Sequence, residues 1–373
     1  MYKRLVAILI ALMSLAAAGA QELEWSVDMN AVFNNREGGN GETPDQTFLF
    51  TRITPQIGVS MDSTRHRIMS GVTWYQPMND HLHGYKVMPS LYYYYKDREK
   101  GLDFKFGVIP NVLDSKIPTF LRSDSINYVQ PNIKGAVFCV HKPNFVLESW
   151  LDWRQIQTEH HREAFDATAY LAWKNRQSLC PQDHFYAASV LLHYNHLAKS
   201  RLRLDGEGVV DNVLLTPEID YLYSINNNST IFLSAGMLLT IDRDRISENK
   251  WLTQAGFLGH IRGTWKWLTL EEQIYAGKQQ MPLYQKYGSL LYQGDQFYHN
   301  KFYSRTDLKA TIFNNEYLNL EARVTFHATD KTTAFWQQVA VRFYIDKKIW
   351  KKAKDKKPVN HGIVIRDYLP AQF

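Results

Sequence analysis

The chain has 373 residues, of which 45% are hydrophobic and 21% charged, and its formal net charge is +6. This apolar content is sufficient for a large folded structure and excludes a mainly disordered chain. Beyond residue 21 no apolar run approaches the roughly 18 residues that a membrane-spanning helix requires, which excludes a helical membrane protein. Much of the positive charge belongs to a Lys-rich C-terminal segment, so it gives no support for nucleic-acid binding.

The first 20 residues have the pattern of a secretory signal peptide. Lys3 and Arg4 precede an apolar run over residues 5–15, and small residues follow up to Ala20. This pattern predicts cleavage before Gln21 and export from the cytoplasm. No Cys stands at the cleavage point, so N-terminal acylation of the mature chain is not expected.

Downstream of residue 21, apolar and polar residues alternate in repeated segments. Leu23, Trp25 and Val27 are apolar, whereas Glu24 and Ser26 are polar. Such alternation predicts strands with one face in an apolar phase and the other in water. We predict strands at 23–33, 47–60, 67–75, 87–95, 102–109, 132–141, 145–153, 164–173, 185–194, 213–223, 230–240, 251–261, 265–275, 302–312, 317–327 and 333–345. In lipid these can close only as a transmembrane antiparallel β-barrel, here of about 16 strands with a range of about 14–18.

The connections between these strands alternate broadly between short and long. The short ones include 61–66, 96–101, 142–144, 262–264 and 313–316, and the long ones 34–46, 110–131, 195–212 and 276–301. Outer-membrane barrels have short periplasmic turns and longer outer loops, so this alternation favours a barrel in the bacterial outer membrane. The link 174–184 is an exception, being long for a turn.

The alternation stops after Ile345, where a Lys-rich run begins. We therefore predict three parts: a signal peptide (1–20), the barrel (21–345) and a periplasmic tail (346–373). The expected closing strand carries Val339, Val341, Phe343 and Ile345. The tail is interpreted as solvated and partly disordered, with a surface that contacts the cell wall or a partner as the alternative.

A barrel of this size is expected to enclose an aqueous passage, lined by the polar alternate residues. Both charge signs occur there, so no ion selectivity is predicted. The expected pore-lining residues are Asp103, Lys105, Arg305, Asp307, Lys309, Glu321, Arg323 and Arg342.

The third outer loop, 110–131, is a candidate constriction of this passage. If it folds inward, Asp114, Lys116, Arg122 and Asp124 would face wall residues such as Arg323. The alternative is a loop on the outer surface.

The chain resembles the general and substrate-selective porins of Gram-negative outer membranes over residues 21–345. The resemblance rests on the export signal, the strand count, the loop alternation and the stretch Asn132-Ile-Lys-Gly-Ala-Val-Phe138, which is similar to that region of phosphate-selective-type porins. It implies a passive channel for small hydrophilic solutes or ions, surrounded by outer-membrane lipids, as a homotrimer or a monomer.

Two other functions remain as alternatives. A barrel hydrolase acting on lipid or peptide needs a nucleophile or acid paired with a rim histidine. His193, His196 and Ser200 lie near an outer rim but without a nucleophile motif, so they are interpreted as ordinary rim residues. Glu159, His160 and His161 lack zinc-site spacing. We therefore expect no enzyme, no cofactor and no metal. A secreted β-sheet protein that binds carbohydrate is the second alternative.

Cys139 and Cys180 are the only cysteines, and both are expected near periplasmic strand ends. In an oxidising compartment they form a disulfide or remain as free thiols. Tyr92 to Tyr95 are expected to form part of an aromatic belt at the membrane interface, with sugar stacking in the lumen as the alternative.

Overall fold

The computed structural model describes residues 22–39, 45–78, 84–110, 117–175, 184–203, 206–246 and 250–354. These residues form a closed barrel of 16 antiparallel strands, each paired with its neighbours in sequence, and the last strand closes on the first. The prediction of fold class and strand number is confirmed. Within the described part of the chain, no helix combines the length and the apolarity needed to cross a membrane.

The strands and helices have the following bounds. The strands are β1 (Glu22–Gly38), β2 (Gln46–Met61), β3 (His66–Pro77), β4 (Lys86–Asp97), β5 (Leu102–Ile109), β6 (Ile133–Lys142), β7 (Phe145–Gln155), β8 (Ala164–Lys174), β9 (His184–Leu197), β10 (Val210–Asn226), β11 (Ser229–Asp244), β12 (Trp251–Trp265), β13 (Leu268–Gly277), β14 (Phe302–Asn314), β15 (Leu318–Thr329) and β16 (Thr333–Asp346). The helices are α1 (Asp124–Val129), α2 (Tyr284–Tyr287) and α3 (Lys347–Lys354).

Burial follows the alternation that the sequence shows. In β1 and β2 the odd-numbered side chains face outward, as Leu23 and Ile57 do, each 53% exposed. The even-numbered side chains Asn30 and Arg52 face the bore and are buried. Several strands extend beyond their predicted ends, and β1 continues to Gly38, because backbone pairing persists where the side chains leave the apolar band.

The described residues that follow β16 form a helix. Directly after β16, the helix α3 places Trp350 edge-on against Trp25, with ring centroids 6.3 Å apart. Lys347 Nζ lies 2.6 Å from Glu22 Oε2. The first part of the Lys-rich segment is therefore helical. The expected signal peptide and residues 355–373 lie outside the described residues.

The described part of the third outer loop, residues 117–131, lies inside the barrel. From α1, the Asp124 carboxylate pairs with Arg305 of β14 at 3.7 Å. Arg36 of β1 donates to Ser125 Oγ at 2.7 Å, and Arg52 of β2 donates to the Asn127 carbonyl at 2.9 Å. Because these arginines belong to separate strands of the wall, the loop must cross the bore.

A second inward loop, 278–301, crosses from the other side. It contains α2 and two 3-10 helices, Gly288–Leu290 and Gln296–His299. The two loops are joined by backbone hydrogen bonds, Ser123 N to Gln293 O at 2.8 Å and Asp295 N to Thr119 O at 2.7 Å. We call residues 117–132 and 278–301 together the plug.

The plug fills the outer half of the bore with apolar side chains. Leu291 and Phe297 are fully buried, and they belong to one core cluster with the wall residues Leu238, Tyr275 and Tyr303. A cavity of about 20 Å³ remains beside the plug, which is room for one or two waters. The expectation of a bore too wide for side chains to fill is wrong for this half, because two loops supply what wall residues alone cannot.

Candidate site on the outer rim

All eight expected pore-lining residues have side chains on the inner face of the wall. Four pairings of opposite charge occur among them or with neighbours: Arg305 with Asp307 at 2.7 Å, Lys309 with Glu321 at 3.7 Å, Arg342 with Asp28 at 2.9 Å, and Asp103 with Lys96 at 3.0 Å. Lys105 lies over the Tyr94 ring, 5.1 Å from its centroid, and Arg323 is on the inward set of β15. Most of these charges are thus neutralised by partners in the wall, and their role in conduction stays a prediction.

The expected constriction residues are only partly described. Asp124 pairs with Arg305 as given above, and Arg122 is buried and donates to the Gln130 carbonyl of its own loop. Asp114 and Lys116 lie outside the described residues. Arg122 therefore stabilises the plug itself, and burial lowers the pKa of its guanidinium.

A row of polar and aromatic side chains runs along the outward face at the outer end of the barrel. Five residues oppose one another in register across β8 to β12: Phe165, His196, Asp211, Arg243 and Trp251. They lie within two residues of the outer ends of their strands. Because strand residues alternate in direction, all five face the lipid side. We call this set the rim row.

The centre of the rim row is a histidine held by a carboxylate. His196 Nδ1 lies 2.8 Å from Asp211 Oδ1. Tyr194 Oη donates to the same oxygen at 2.8 Å, and Arg245 donates through Nε and Nη2 to Oδ2 at 3.0 and 2.7 Å. Three donors on one carboxylate favour its ionised form, which makes it a suitable acceptor for an imidazole N–H.

Aromatic rings and arginines flank the pair of His196 and Asp211. The Phe165 ring lies 5.0 Å from that of His196 and stacks on Trp153 at 5.1 Å. On the other side, the Arg243 guanidinium lies 4.8 Å from the centroid of the Trp251 ring. Aromatic rings at a membrane interface contact acyl chains and headgroups together, and arginines bind anionic oxygens. The rim row therefore combines a base with groups suited to an anionic lipid.

The sequence named three residues near this rim, and the structure separates them. His193 points into the bore, where its Nδ1 lies 2.6 Å from Thr168 Oγ1. Ser200 is buried and donates to Glu207 at 2.7 Å. His196 alone lies in the rim row. Asp211 was missed because its pairing with His196 depends on the register of β9 with β10, whereas residues 195–212 were predicted to form an outer loop.

A protein-family comparison bears on the functional class. The model of the lipid A 3'-O-deacylase-type family matches residues 15–352. The chain belongs to this family. The expectation that the protein is not an enzyme is therefore wrong, because the family is named for a hydrolytic activity.

Comparison with solved structures supports the barrel fold. The chain is similar to OccAB3 of Acinetobacter baumannii, with 12% identity, a TM-score of 0.50, and coverage of 87% of this chain and 99% of the other. It is also similar to OccK9 (OpdG) of Pseudomonas aeruginosa, with 10% identity, a TM-score of 0.50, and coverage of 87% and 98%. At this level of identity these solved structures show the fold alone, and a phosphate-selective type is not confirmed. No curated protein sequence matches the chain.

Proposed function

We propose that this protein is an outer-membrane hydrolase that removes an acyl chain from lipid A, with His196 as the general base. Membership of the lipid A 3'-O-deacylase-type family supports the reaction class. The observation that carries the assignment of residues is the His196–Asp211 pair at 2.8 Å, on the lipid-facing wall at the outer end of the barrel. A substrate lodged in the outer leaflet meets this wall and has no access to the packed bore.

The geometry gives each group of the pair a role. The Nδ1–H of His196 donates a hydrogen bond to Asp211, so the Nε2 lone pair is available to a water molecule. The water oxygen attacks the ester carbonyl while its proton passes to Nε2. His196 then returns that proton to the departing sugar oxygen, and the ester yields a fatty acid and an alcohol. The side chain of His196 is 19% exposed, which leaves it accessible from the membrane side.

The surroundings of the pair match the chemistry of a phosphorylated glycolipid. Arg243 and Arg245 lie at the strand ends, at the height where lipid phosphates meet water. Phe165, Trp153 and Trp251 provide apolar surface beside them for acyl chains. In this proposal the ester of a bound lipid lies between a cationic group and an apolar one.

A passive channel is the second candidate, and the fold shared with outer-membrane porins favours it. The plug weighs against it, because apolar side chains occupy the outer half of the bore. Ion conductance in planar bilayers tests this candidate directly. A large steady conductance of the intact protein would support a channel beside, or in place of, the hydrolase.

The hydrolase is tested by mass spectrometry of lipid A after incubation with the purified barrel in detergent micelles. The wild-type protein should reduce the lipid mass by one acyl chain and release the corresponding fatty acid. His196→Ala should lower this rate by about 10²- to 10⁴-fold, the range expected for loss of a general base.

A matched control is His184→Ala. His184 also faces outward and lies 2.6 Å from a tyrosine hydroxyl, that of Tyr221, but at the periplasmic end of the barrel. This variant should retain wild-type activity, and heat-modifiable gel migration should confirm folding of both variants. Equal activity of His196→Ala and the wild type would contradict the assignment, and absence of acyl loss with the wild type would contradict the proposed reaction.

A further inference from the structure

We propose a transition-metal site, best suited to Zn²⁺, formed by Cys139, His141 and Glu148 at the periplasmic end of the bore. The ligand atoms of these three residues all lie within 4.8 Å of one another. This site is separate from the rim row, which lies on the outward face at the other end of the barrel. The proposal does not depend on the proposed hydrolase.

Strand geometry brings the three side chains together. Cys139 of β6 and Glu148 of β7 are a directly opposed cross-strand pair. His141 lies two residues after Cys139, so it points to the same face of the strand. All three therefore face the bore, close to the short turn that joins β6 to β7, where the hairpin restricts their relative movement.

The distances are close to what a tetrahedral ion requires. His141 Nε2 lies 3.0 Å from Glu148 Oε1. Ligands about 2.0 to 2.3 Å from one zinc ion lie roughly 3.3 to 3.8 Å from each other. Small rotations of the three side chains would open the pair and bring the thiol into range. The fourth coordination position would then be free for water.

The donor set selects the class of metal. A thiolate and an imidazole favour Zn²⁺ and similar ions, whereas Ca²⁺ and Mg²⁺ prefer sites made of oxygen ligands. Three protein ligands with an open fourth position are also the pattern of zinc sites that bind an exchangeable molecule.

Two of the three ligand side chains are buried, which favours binding of a cation, and the third is partly exposed, which provides a route to the site. Glu148 is 1% exposed and Cys139 is 8% exposed. On β5, Asp103 directly opposes Cys139 and pairs with Lys96 at 3.0 Å. A bound cation would offset the cost of burying the Glu148 carboxylate together with a Cys139 thiolate. The His141 side chain is 48% exposed toward the periplasmic opening, which provides an entry path.

A disulfide between the two cysteines would compete with metal binding. Cys180 lies outside the described residues, and a disulfide between it and Cys139 would remove the thiolate ligand. Metal binding is therefore measured on the full-length barrel after reduction, with Co²⁺ as the spectroscopic probe and Zn²⁺ as the competitor.

Reduced wild-type protein should bind one equivalent of Co²⁺, with a thiolate-to-cobalt charge-transfer band in the near ultraviolet and visible bands of tetrahedral intensity. One equivalent of Zn²⁺ should abolish both. Cys139→Ser should lose the charge-transfer band, and His141→Ala and Glu148→Gln should each weaken binding by about 10-fold or more. Cys180→Ser should bind as the wild type does.

His260→Ala is the matched control. His260 and Glu271 form another inward histidine–carboxylate pair, at 2.7 Å, on β12 and β13. This variant should keep the cobalt spectrum unchanged. The proposal is overturned if reduced, folded wild-type protein shows no charge-transfer band, or if Cys139→Ser retains it. If Cys139→Ser fails to fold, the His141→Ala and Glu148→Gln titrations decide, because unchanged affinity in both would also overturn the site.

Discussion

The outer and inner halves of this barrel are built from the same strands but differ on both faces. In the outer half the bore is filled by the plug, and the outward face carries the rim row with a histidine, a carboxylate and two arginines nearby. In the inner half the bore carries charged pairs such as His260 with Glu271, beside a small separate apolar cluster of Phe185, Ala187, Leu222 and Phe232. There the outward face has an aromatic cluster around His184, which stacks on Tyr221 and Tyr223.

The contrast shows that barrel width alone does not define a channel. Sixteen strands enclose enough space for an aqueous passage, but two outer loops fill that space with apolar side chains. In the proposed function the reactive groups are those of the rim row on the outer wall, where an outer-leaflet lipid can reach them. The following predictions test this division, beginning with the largest expected effect.

Asp211→Asn should lower the rate of lipid A deacylation by about 10²- to 10⁴-fold, because an amide side chain cannot hold His196 in the required tautomer. The rate is measured from fatty acid release. Asp242→Asn is the control, since Asp242 lies on the adjacent strand but faces the bore, where it accepts from Tyr292 at 2.6 Å. Equal losses of the deacylation rate in the two variants would contradict the assignment of the reaction to the outer wall.

Replacing residues 279–300 with a short Gly-Ser linker should raise single-channel conductance on the order of tenfold, because an unfilled barrel of this size encloses water. Conductance is recorded in planar bilayers for the intact and shortened proteins. Deacylation should persist in the shortened protein, since the rim row lies outside the bore. An unchanged conductance would mean that the plug does not obstruct the passage.

Gly294→Ala should destabilise the plug by about 1–3 kcal/mol, the usual cost of overpacking. Gly294 lies where the two inward loops cross, and an added Cβ would come 2.0 Å from the Phe120 carbonyl oxygen. The free energy of unfolding in urea should fall, and channel openings in planar bilayers should become more frequent. Gly263→Ala is the control because a Cβ there meets nothing within 4 Å. Equal unfolding free energies for the two variants would contradict tight packing of the plug at Gly294.

Asp295→Asn should stabilise the plug near neutral pH by about 3 kcal/mol. Burial raises the pKa of Asp295 to about 6 from 3.8, and the charge of Arg305 opposes the shift. The folded protein thus keeps a proton between about pH 4 and 6 that the unfolded chain has lost. Wild-type stability should fall as the pH rises through this window.

The variant retains a side chain able to cap the 3-10 helix Gln296–His299, so its advantage should vanish near pH 4. Unfolding free energies measured at pH 4, 6 and 8 check the sign. A wild-type protein that becomes more stable between pH 4 and 6 would contradict a buried, proton-retaining Asp295.

The sequence predicted the barrel well because its strongest signal, the alternation of apolar and polar residues, is local to each strand. The predicted segment 102–109 coincides with β5, and Val339 and Phe343 lie outward on the closing strand as expected. The plug was not predicted in full, because the aromatic residues of 276–301 carry no periodicity that distinguishes an inward loop from an outward one.

The site was harder to predict for a different reason. His196 was identified as a residue of interest, but its partner Asp211 lies on the next strand, and the contact depends on the register of β9 with β10. The alternation of side chains decides which histidine serves which face: His193 and His196 differ by an odd number of positions and so point to opposite sides of the wall. Neither property is visible in a motif search.

The central claim, that catalysis occurs on the outer wall and not in the bore, is tested most directly by comparing these two histidines. Fatty acid release from lipid A is measured for folded His196→Ala and His193→Ala proteins under the same conditions. We expect His196→Ala to lose activity by at least about 10²-fold and His193→Ala to retain it. Loss of activity in His193→Ala with full activity in His196→Ala would place the reaction in the bore and contradict the account.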